Sequence, residues 1–173
     1  MNWRAFPLHP ETPEDGISLE QLFANTTINI PQMLLHLGNV AKSLGLPFGE
    51  RKYTYNSRLA QELGLWAEAQ GKGHEFHREA FHSYFADGRN LARKDVLISL
   101  AEKAGLEKDA AEKVITERTY SDNVDADWQY SRDNSVTAVP TFMIHGRTLS
   151  GAQPFSDLLR FIEQTLGKTL KKR

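Results

Sequence analysis

The stretch Val139-Pro140-Thr141-Phe142-Met143-Ile144 decides the fold of this chain. Proline has no backbone N–H to donate, so it marks a loop, and the apolar run behind it has the length and composition of a short strand. The next residues, His145-Gly146-Arg147, allow a tight turn, because glycine adopts the left-handed backbone that such turns require. The pattern predicts a loop followed by an antiparallel hairpin, with strands over Thr141–His145 and Arg147–Ser150.

Most of the chain before this hairpin carries the periodicity of helices. From Ser18 to about Asp133, apolar residues recur at helical spacing and share one face of each successive helix. Helix starts are predicted at Ser18, Pro31, Gly73, Lys94, Lys108 and Ser121, after Asn56, and again at Pro154 behind the hairpin. Residues 2–6 alternate apolar and polar side chains and predict a short strand. We therefore expect one domain formed by 1–15 and 136–173, with a helical domain, 16–135, inserted in it.

One of the predicted helices carries three histidines, His74, His77 and His82. Phe76 and Phe81 are expected to define the buried face of this helix, which leaves the histidines on a solvated face. Since no carboxylate lies at a familiar ligand spacing from them, no metal site is predicted.

The composition excludes several classes of protein. The 173 residues are 40% hydrophobic and 25% charged, with a formal net charge of -1. There is thus no general electrostatic reason to bind nucleic acid or an anionic membrane. No stretch approaches the roughly 18 consecutive apolar residues that span a bilayer, and the first residues lack the features of a secretory signal. We expect a cytoplasmic protein that binds neither nucleic acid nor membrane.

The chain contains no cysteine. Disulfides, cysteine-ligated zinc and a thiol nucleophile are therefore excluded within these residues. A glycine-rich phosphate loop, a Gly-x-Ser-x-Gly elbow and a His-Glu-x-x-His helix are missing from the sequence as well. No residue is predicted to be catalytic, and these motifs indicate no cofactor.

Five stretches in order carry a resemblance that covers nearly the whole chain. They are Trp3–Pro10, Asn56–Ala60, Ala80–Asn90, Val139–Phe142 and Ser150–Gln153. Together they resemble the DsbA family, and best its FrnE-like oxidoreductase branch in the cytoplasm. The 2-hydroxychromene-2-carboxylate isomerases and the kappa-class glutathione transferases are similar cousins. The resemblance implies an α/β, thioredoxin-like fold with a large inserted all-α domain.

The chain departs from this family at its N-terminus. Members begin with a strand and a helix that bears Cys-x-x-Cys, or often a serine in the cousins, whereas Trp3–Pro10 resembles the second strand. The helix matters because its N-terminal amides and dipole stabilise a reactive thiolate. We therefore expect an incomplete thioredoxin-like fold, truncated or degenerate, that is inert in redox chemistry by itself. Unpaired strand edges and an uncovered apolar face would then favour a homodimer.

The resemblance also implies a substrate site at the Val-Pro loop. Val139 and Pro140, continued by Thr141, would form a cis-proline loop in which the Val139 backbone pairs with a bound peptide, a thiol substrate or glutathione. The alternative is an ordinary trans proline before a strand.

Four further residues are implied to bind glutathione. Asn56 matches an asparagine that contacts glutathione in the isomerase cousins; the alternative is a helix N-cap. Ser150, Gly151 and Gln153 lie where kappa-class relatives bind the glutamyl end of glutathione, and the alternative is a strand end with a helix cap. Gln153 stands where those relatives have an acidic residue, which weakens the case for glutathione.

Three functions therefore stay open. The first is a DsbA-family thiol–disulfide oxidoreductase whose reactive thiols lie outside these residues. The second is a glutathione-dependent isomerase or transferase of the kappa type. The third is a non-catalytic module that binds peptides by strand addition in the Val-Pro groove.

Overall fold

The computed structural model describes residues 2–167, which form eight helices and four short strands. In chain order these are β1 (Ile17–Ser18), α1 (Leu19–Leu22), α2 (Ile30–Ser43), β2 (Tyr53–Thr54), α3 (Arg58–Ala69), α4 (Gly73–Phe85), α5 (Lys94–Lys103), α6 (Lys108–Glu117), α7 (Ser121–Asp133), β3 (Thr141–Ile144), β4 (Arg147–Ser150) and α8 (Phe155–Leu166). The predicted run of helices, the hairpin and the last helix are confirmed. Helix α6 has the bounds that its sequence predicts.

Capping chemistry explains why the helix starts were predictable. Ser18 Oγ accepts a hydrogen bond from the Gln21 N–H at 3.1 Å, and Gln21 Oε1 accepts one from the Ser18 N–H at 2.9 Å. This is the expected capping box of α1. Asn29 Oδ1 accepts from the Gln32 N–H at 3.0 Å and caps α2, and Pro31 lies in the first turn of that helix. These bonds satisfy backbone donors that have no partner inside the helix.

The described residues divide into two compact units. The first, which we call the helical unit, contains residues 2–5 and 9–125, and the second, the hairpin unit, contains 6–8 and 126–167. The division falls inside α7. The domain bounds predicted from the sequence stay a prediction.

The core of the helical unit lies between α3, α4, α5 and α6. Its largest fully enclosed apolar side chains are Leu63, Phe76, Leu97, Leu100 and Ile115. Burying a side chain of this size contributes roughly 1.5–3 kcal/mol. The apolar stripes read from the sequence of these four helices are therefore what assembles this unit.

A carboxylate is enclosed in the same unit. Glu62 on α3 is 1% exposed. Its oxygens accept hydrogen bonds from Arg58 Nε at 2.9 Å, from Arg118 Nε at 2.8 Å and from Arg118 Nη2 at 2.6 Å. Arg58 also donates to Asp125 Oδ1 at 2.7 Å and to the Ser121 carbonyl at 2.9 Å. The cluster links α3 to the end of α6 and the start of α7.

Arg118 takes an unfavourable backbone conformation in this cluster. Its φ of 55° and ψ of 37° are left-handed, which costs roughly 1–2 kcal/mol for a residue with a Cβ. Burial raises the pKa of Glu62, but hydrogen bonds from Arg118 and Arg58 lower it by more, so this pKa lies below its ordinary value of 4.5. The carboxylate is therefore charged at neutral pH, and its attraction holds Arg118 in place.

Glu62→Gln should lower the free energy of unfolding at neutral pH by about 3 kcal/mol, because it leaves two arginines without their shared counter-ion. Denaturant unfolding measures the loss, with Glu112→Gln on the exposed face of α6 as the matched control. The pKa of Glu62 is lower in the folded protein than its ordinary value of 4.5. The charged carboxylate therefore stabilises the fold above pH 4.5, and this stabilisation is lost as the pH falls through the pKa of the folded state. The gap between wild type and Glu62→Gln should close in that acidic range. A gap that is constant with pH would contradict the assignment.

In the hairpin unit, β3 and β4 form the predicted antiparallel hairpin. Thr141 pairs with Ser150 and Ile144 with Arg147, which leaves a two-residue turn. Both turn residues have positive φ, 49° at His145 and 77° at Gly146. This pattern matches the twist of the flanking strands. Strand β3 ends at Ile144, one residue before the predicted end, because His145 belongs to the turn.

The strand predicted at residues 2–6 is wrong. These residues belong to neither of the two sheets that the described part of the chain forms. Alternation shows only which side chains can share a face, whereas a strand also needs a neighbour to pair with. The Trp3 ring instead lies 4.8 Å from the His77 ring on α4. The pairing of β1 with β2 was not predicted, since two residues are too few to show a period.

The predicted faces of α4 also need correction. Phe76 is buried as expected, but Phe81 is 51% exposed. It lies in a row of rings with His77 and Phe85, with centroids 6.4 and 6.2 Å away. His77 is not solvated: its side chain is 23% exposed, and burial lowers its pKa.

Within residues 2–167, no group of three or more histidine, aspartate or glutamate side chains could hold a metal ion. None of the helices in this range has the length and apolar composition of a membrane span.

Candidate functional site

The Val-Pro loop is fixed by hydrogen bonds on both sides. The Val139–Pro140 peptide bond is cis, and the Pro140 carbonyl accepts a hydrogen bond from the Gly151 N–H at 2.8 Å. The Thr141 hydroxyl donates to the Ala138 carbonyl at 2.7 Å and lies 2.9 Å from the Ser150 hydroxyl. The residues before and after the proline are thereby tied to the strands of the hairpin.

Val139 is the part of this loop that stays open. The residue is 43% exposed. Within residues 2–167, neither its backbone N–H nor its C=O has a recorded hydrogen-bond partner. A fixed loop therefore leaves one backbone donor and one backbone acceptor without a partner, and these are the groups with which an extended peptide pairs.

Ser150, Gly151 and Gln153 form a tight bend next to this loop. Gln153 Nε2 donates to the Ser150 carbonyl at 2.7 Å. Gly151 has a φ of 90°, and a Cβ on it would lie 3.3 Å from Gln153 Nε2, so the bend favours glycine. These three predicted site residues therefore lie in the hairpin unit with Val139 and Thr141. The Gln153 carboxamide oxygen has no recorded partner within the described residues.

Asn56 belongs to the helical unit, and its side chain is taken up by the chain's own backbone. Its Nδ2 group donates to the Thr12 carbonyl at 2.7 Å and to the Pro10 carbonyl at 3.3 Å, while Oδ1 accepts from the Arg58 N–H at 2.9 Å. Both amide hydrogens are therefore used. Asn56 fastens the loop at Pro10–Thr12 to the start of α3.

A second cleft, which the sequence did not predict, lies in the helical unit around Arg51. Its volume is about 210 Å³, and Tyr53, Tyr55 and Tyr84 contribute to its walls. The alternation of tyrosines in Arg51-Lys52-Tyr53-Thr54-Tyr55 is the only sequence signal that points to it.

The α/β architecture, the helical unit and the hairpin that follows a Val-Pro loop define a protein of the thioredoxin-fold class. The chain belongs to the family of DSBA-like thioredoxin domains, whose model matches residues 1–163. The family predicted from five short stretches is therefore confirmed, and so is its thioredoxin-like fold with a helical insertion.

Two solved structures share this fold. The probable DsbA oxidoreductase of Streptomyces coelicolor superposes with a TM-score of 0.86 at 25% identity, over 98% of this chain and 76% of that one. A 2-hydroxychromene-2-carboxylate isomerase superposes with a TM-score of 0.65 at 17% identity, over 86% of this chain and 74% of that one. At 17% identity the second likeness concerns the fold alone.

Two curated relatives are similar over part of their length. The uncharacterized protein YwbO of Bacillus subtilis is 33% identical over 95 residues, which are 54% of this chain and 48% of that protein. The ClpXP adapter protein SpxH of Shouchella clausii is 32% identical over 124 residues, 66% of this chain and 40% of that protein. The chain thus spans half or less of the curated relatives it matches.

Thr141→Val should loosen the Val-Pro loop, because it removes the hydroxyl that joins Ala138 to Ser150. We expect amide hydrogen exchange at Gly151 to accelerate about fivefold, the equivalent of losing about 1 kcal/mol. Thr148→Val is the matched control in the same hairpin, since the Thr148 hydroxyl is exposed and has no recorded partner within residues 2–167. Equal exchange rates in the two variants would show that the hydroxyl bonds do not hold the loop.

Proposed function

We propose that this chain holds the substrate in a thiol–disulfide oxidoreductase of the FrnE-like branch of the DsbA family. The observation that carries the proposal is the open backbone of Val139 on an otherwise fixed loop. An extended peptide, or the peptide around a substrate thiol, would accept from the Val139 N–H and donate to the Val139 C=O. The fixed surroundings of the loop reduce the entropy that binding costs.

Binding and chemistry separate in this proposal. Thiol–disulfide exchange requires a thiolate that attacks a sulfur atom, and these 173 residues contain no cysteine. The chain by itself would position a peptide without reacting with it. The thiols of the reaction would have to come from residues outside this sequence.

The test is an NMR titration of the chain with a short extended peptide that contains one cysteine, and with the same peptide carrying serine instead. Both peptides should shift the Val139 amide signal with similar affinity, because no thiol in the chain can discriminate between them. Val139→Pro removes the backbone donor and should weaken binding by about tenfold or more, whereas Val139→Ala keeps the donor and should bind nearly as wild type does. Insulin reduction should stay at the uncatalysed rate.

Three results would count against the proposal. If Val139→Pro is folded, as judged by its NMR spectrum, and binds as well as wild type, the Val139 edge is not the peptide site. Insulin reduction by this cysteine-free chain would contradict the separation of binding from chemistry. If glutathione shifts Ser150 and Gln153 while the peptides do not bind, the kappa-type isomerase or transferase replaces the oxidoreductase.

A non-catalytic peptide-binding module is the second candidate. It is favoured by the lack of cysteine in these residues and by similarity to two adapter proteins, the ClpXP adapter proteins SpxH of Shouchella clausii and Halalkalibacterium halodurans. Such a module would use the same Val139 edge. The cysteine content of the natural gene product distinguishes this module from the oxidoreductase. A product with no cysteine outside these residues would bind peptides and exchange no disulfide.

We also propose that the chain associates with a second copy through α2. This helix has no buried residue. Leu37, Val40 and the C-cap residue Leu44 follow one side of it at helical spacing and are 36%, 42% and 67% exposed. Apolar side chains that are exposed together along one helix are characteristic of interaction surfaces.

Sedimentation equilibrium should therefore give a dimer mass for the wild-type chain. Leu37→Gln combined with Leu44→Gln should shift the mass to that of a monomer, because the contact loses its apolar area. Lys42→Gln, on the opposite side of the same helix, is the control and should leave the dimer intact. A wild-type chain that is monomeric at all concentrations tested would contradict the proposal.

A further inference from the structure

The guanidinium group of Arg51 lies against two aromatic rings in the cleft of the helical unit. Its Cζ atom is 4.7 Å from the centroid of the Tyr84 ring and 4.9 Å from that of Phe85. Nη2 donates to the Tyr84 hydroxyl at 2.7 Å, and this hydroxyl donates onward to Thr54 Oγ1 at 3.0 Å. The position of the guanidinium is therefore set by stacking and by a neutral hydroxyl.

Arg51 has no counter-ion of its own. Within residues 2–167 it makes no ion pair, and Nη1 and the second hydrogen of Nη2 have no recorded partner. Nε is enclosed and also without a partner. A cation that is partly withdrawn from water in this way normally pairs with an anion, so the open hydrogens of the guanidinium mark a place for one.

The charges that face the cleft limit which anion fits. Glu50 contributes to the lining and pairs with Lys52 at 3.0 Å, and Asp87, also in the lining, lies 3.5 Å from His82 Nδ1. Lys52 lines the cleft as well, but its charge is engaged by Glu50. A doubly charged group such as phosphate would therefore meet Asp87 with Arg51 as the one lining cation that has no acidic partner. A single carboxylate needs one guanidinium, and Nη1 with Nη2 can donate to its two oxygens.

The volume of the cleft and the residues that line it limit the size and polarity of the group attached to the carboxylate. At about 210 Å³ the cleft is smaller than the roughly 300–1,000 Å³ typical of drug-sized sites. The rings of Tyr53 and Tyr55 are nearly parallel, 20° apart with centroids at 6.3 Å. They offer apolar faces to a small side chain next to the carboxylate.

We propose that the cleft at Arg51 binds a carboxylate that is attached to a small aromatic or apolar group. The free carboxylate of an N-acylated amino acid and the C-terminal carboxylate of a peptide both have this chemistry. The site shares no residue with the Val139 edge, so either proposal can fail without the other.

N-acetylphenylalanine is the probe for the free acid, with N-acetylphenylalaninamide as its uncharged partner. Titration of the whole chain, followed by NMR of the arginine side-chain N–H signals, should shift Arg51 with the acid and not with the amide. Arg51→Gln should weaken binding about tenfold or more, because the charge-assisted hydrogen bonds are lost. Arg51→Lys should retain part of the affinity through its charge. Arg78→Gln, on the exposed side of α4, is the matched control and should bind as wild type does.

A tripeptide that ends in phenylalanine, compared with its C-terminal amide, separates the two sources. Tighter binding of the tripeptide acid than of N-acetylphenylalanine assigns the site to peptide C-termini, and the reverse assigns it to free acids. The proposal is overturned if acid and amide bind equally, if the acid shifts other arginines but not Arg51, or if phenyl phosphate binds more tightly than the carboxylates. The wild-type titration decides these points even if Arg51→Gln does not fold.

Discussion

A carboxylate that cannot reach water has to be neutralised where it lies, and in the helical unit this requirement determines how three helices meet. Removing an ion from water costs several kcal/mol unless close partners replace the solvent. Glu62 obtains these partners from Arg58 on its own helix and from Arg118 behind α6. Hydrogen bonds have directions that apolar contacts lack, so bringing both guanidinium groups to the same carboxylate restricts how α3 can lie against the end of α6. The ion cluster thus selects the arrangement that the apolar core stabilises.

In the hairpin unit, hydrogen bonds between uncharged groups hold the Val-Pro loop in position. The hydroxyl of Thr141 and the N–H of Gly151 hold the residues on either side of Val139. Each such bond contributes only about 1 kcal/mol, yet together they leave the loop little freedom. A loop held in this way can present the backbone of Val139 to a partner without first having to become ordered.

The sequence was a good guide wherever the signal is local. Ser18 and Gln21 form the expected capping box, and the turn at His145-Gly146 forms where glycine permits it. The errors occur where a residue's environment is set by distant parts of the chain. Residues 2–6 alternate as a strand does, but no period can supply a neighbouring strand. The position of Phe81 in the helical repeat predicts that it is buried in the core. Its ring instead lies at the surface, with its centroid 6.4 Å from that of the Trp3 ring.

The candidate site was predicted only where it depends on residues close together in sequence. Val139 and Thr141 lie two positions apart in sequence, and the pairing of Thr141 with Ser150 follows from a hairpin register that the turn fixes. Arg51 and Tyr84 are 33 positions apart, and nothing in either segment indicates that they touch. The family resemblance identified Asn56, but the structure shows its amide hydrogens on the Pro10 and Thr12 carbonyls, contacts that no local pattern reveals.

Membership in a family determines the fold more firmly than the reaction, because a reaction depends on a few side chains. In this chain the side chain that a thiol–disulfide oxidoreductase needs most is not among the 173 residues, while the groups suited to holding a ligand are present. Asn56 and Glu62 have their polar groups matched by other parts of the protein. Val139 and Arg51 do not, although both are held firmly in position. Polar groups that are held in place without a partner in the chain are suited to pairing with a ligand, and this is the ground on which we propose binding at both places.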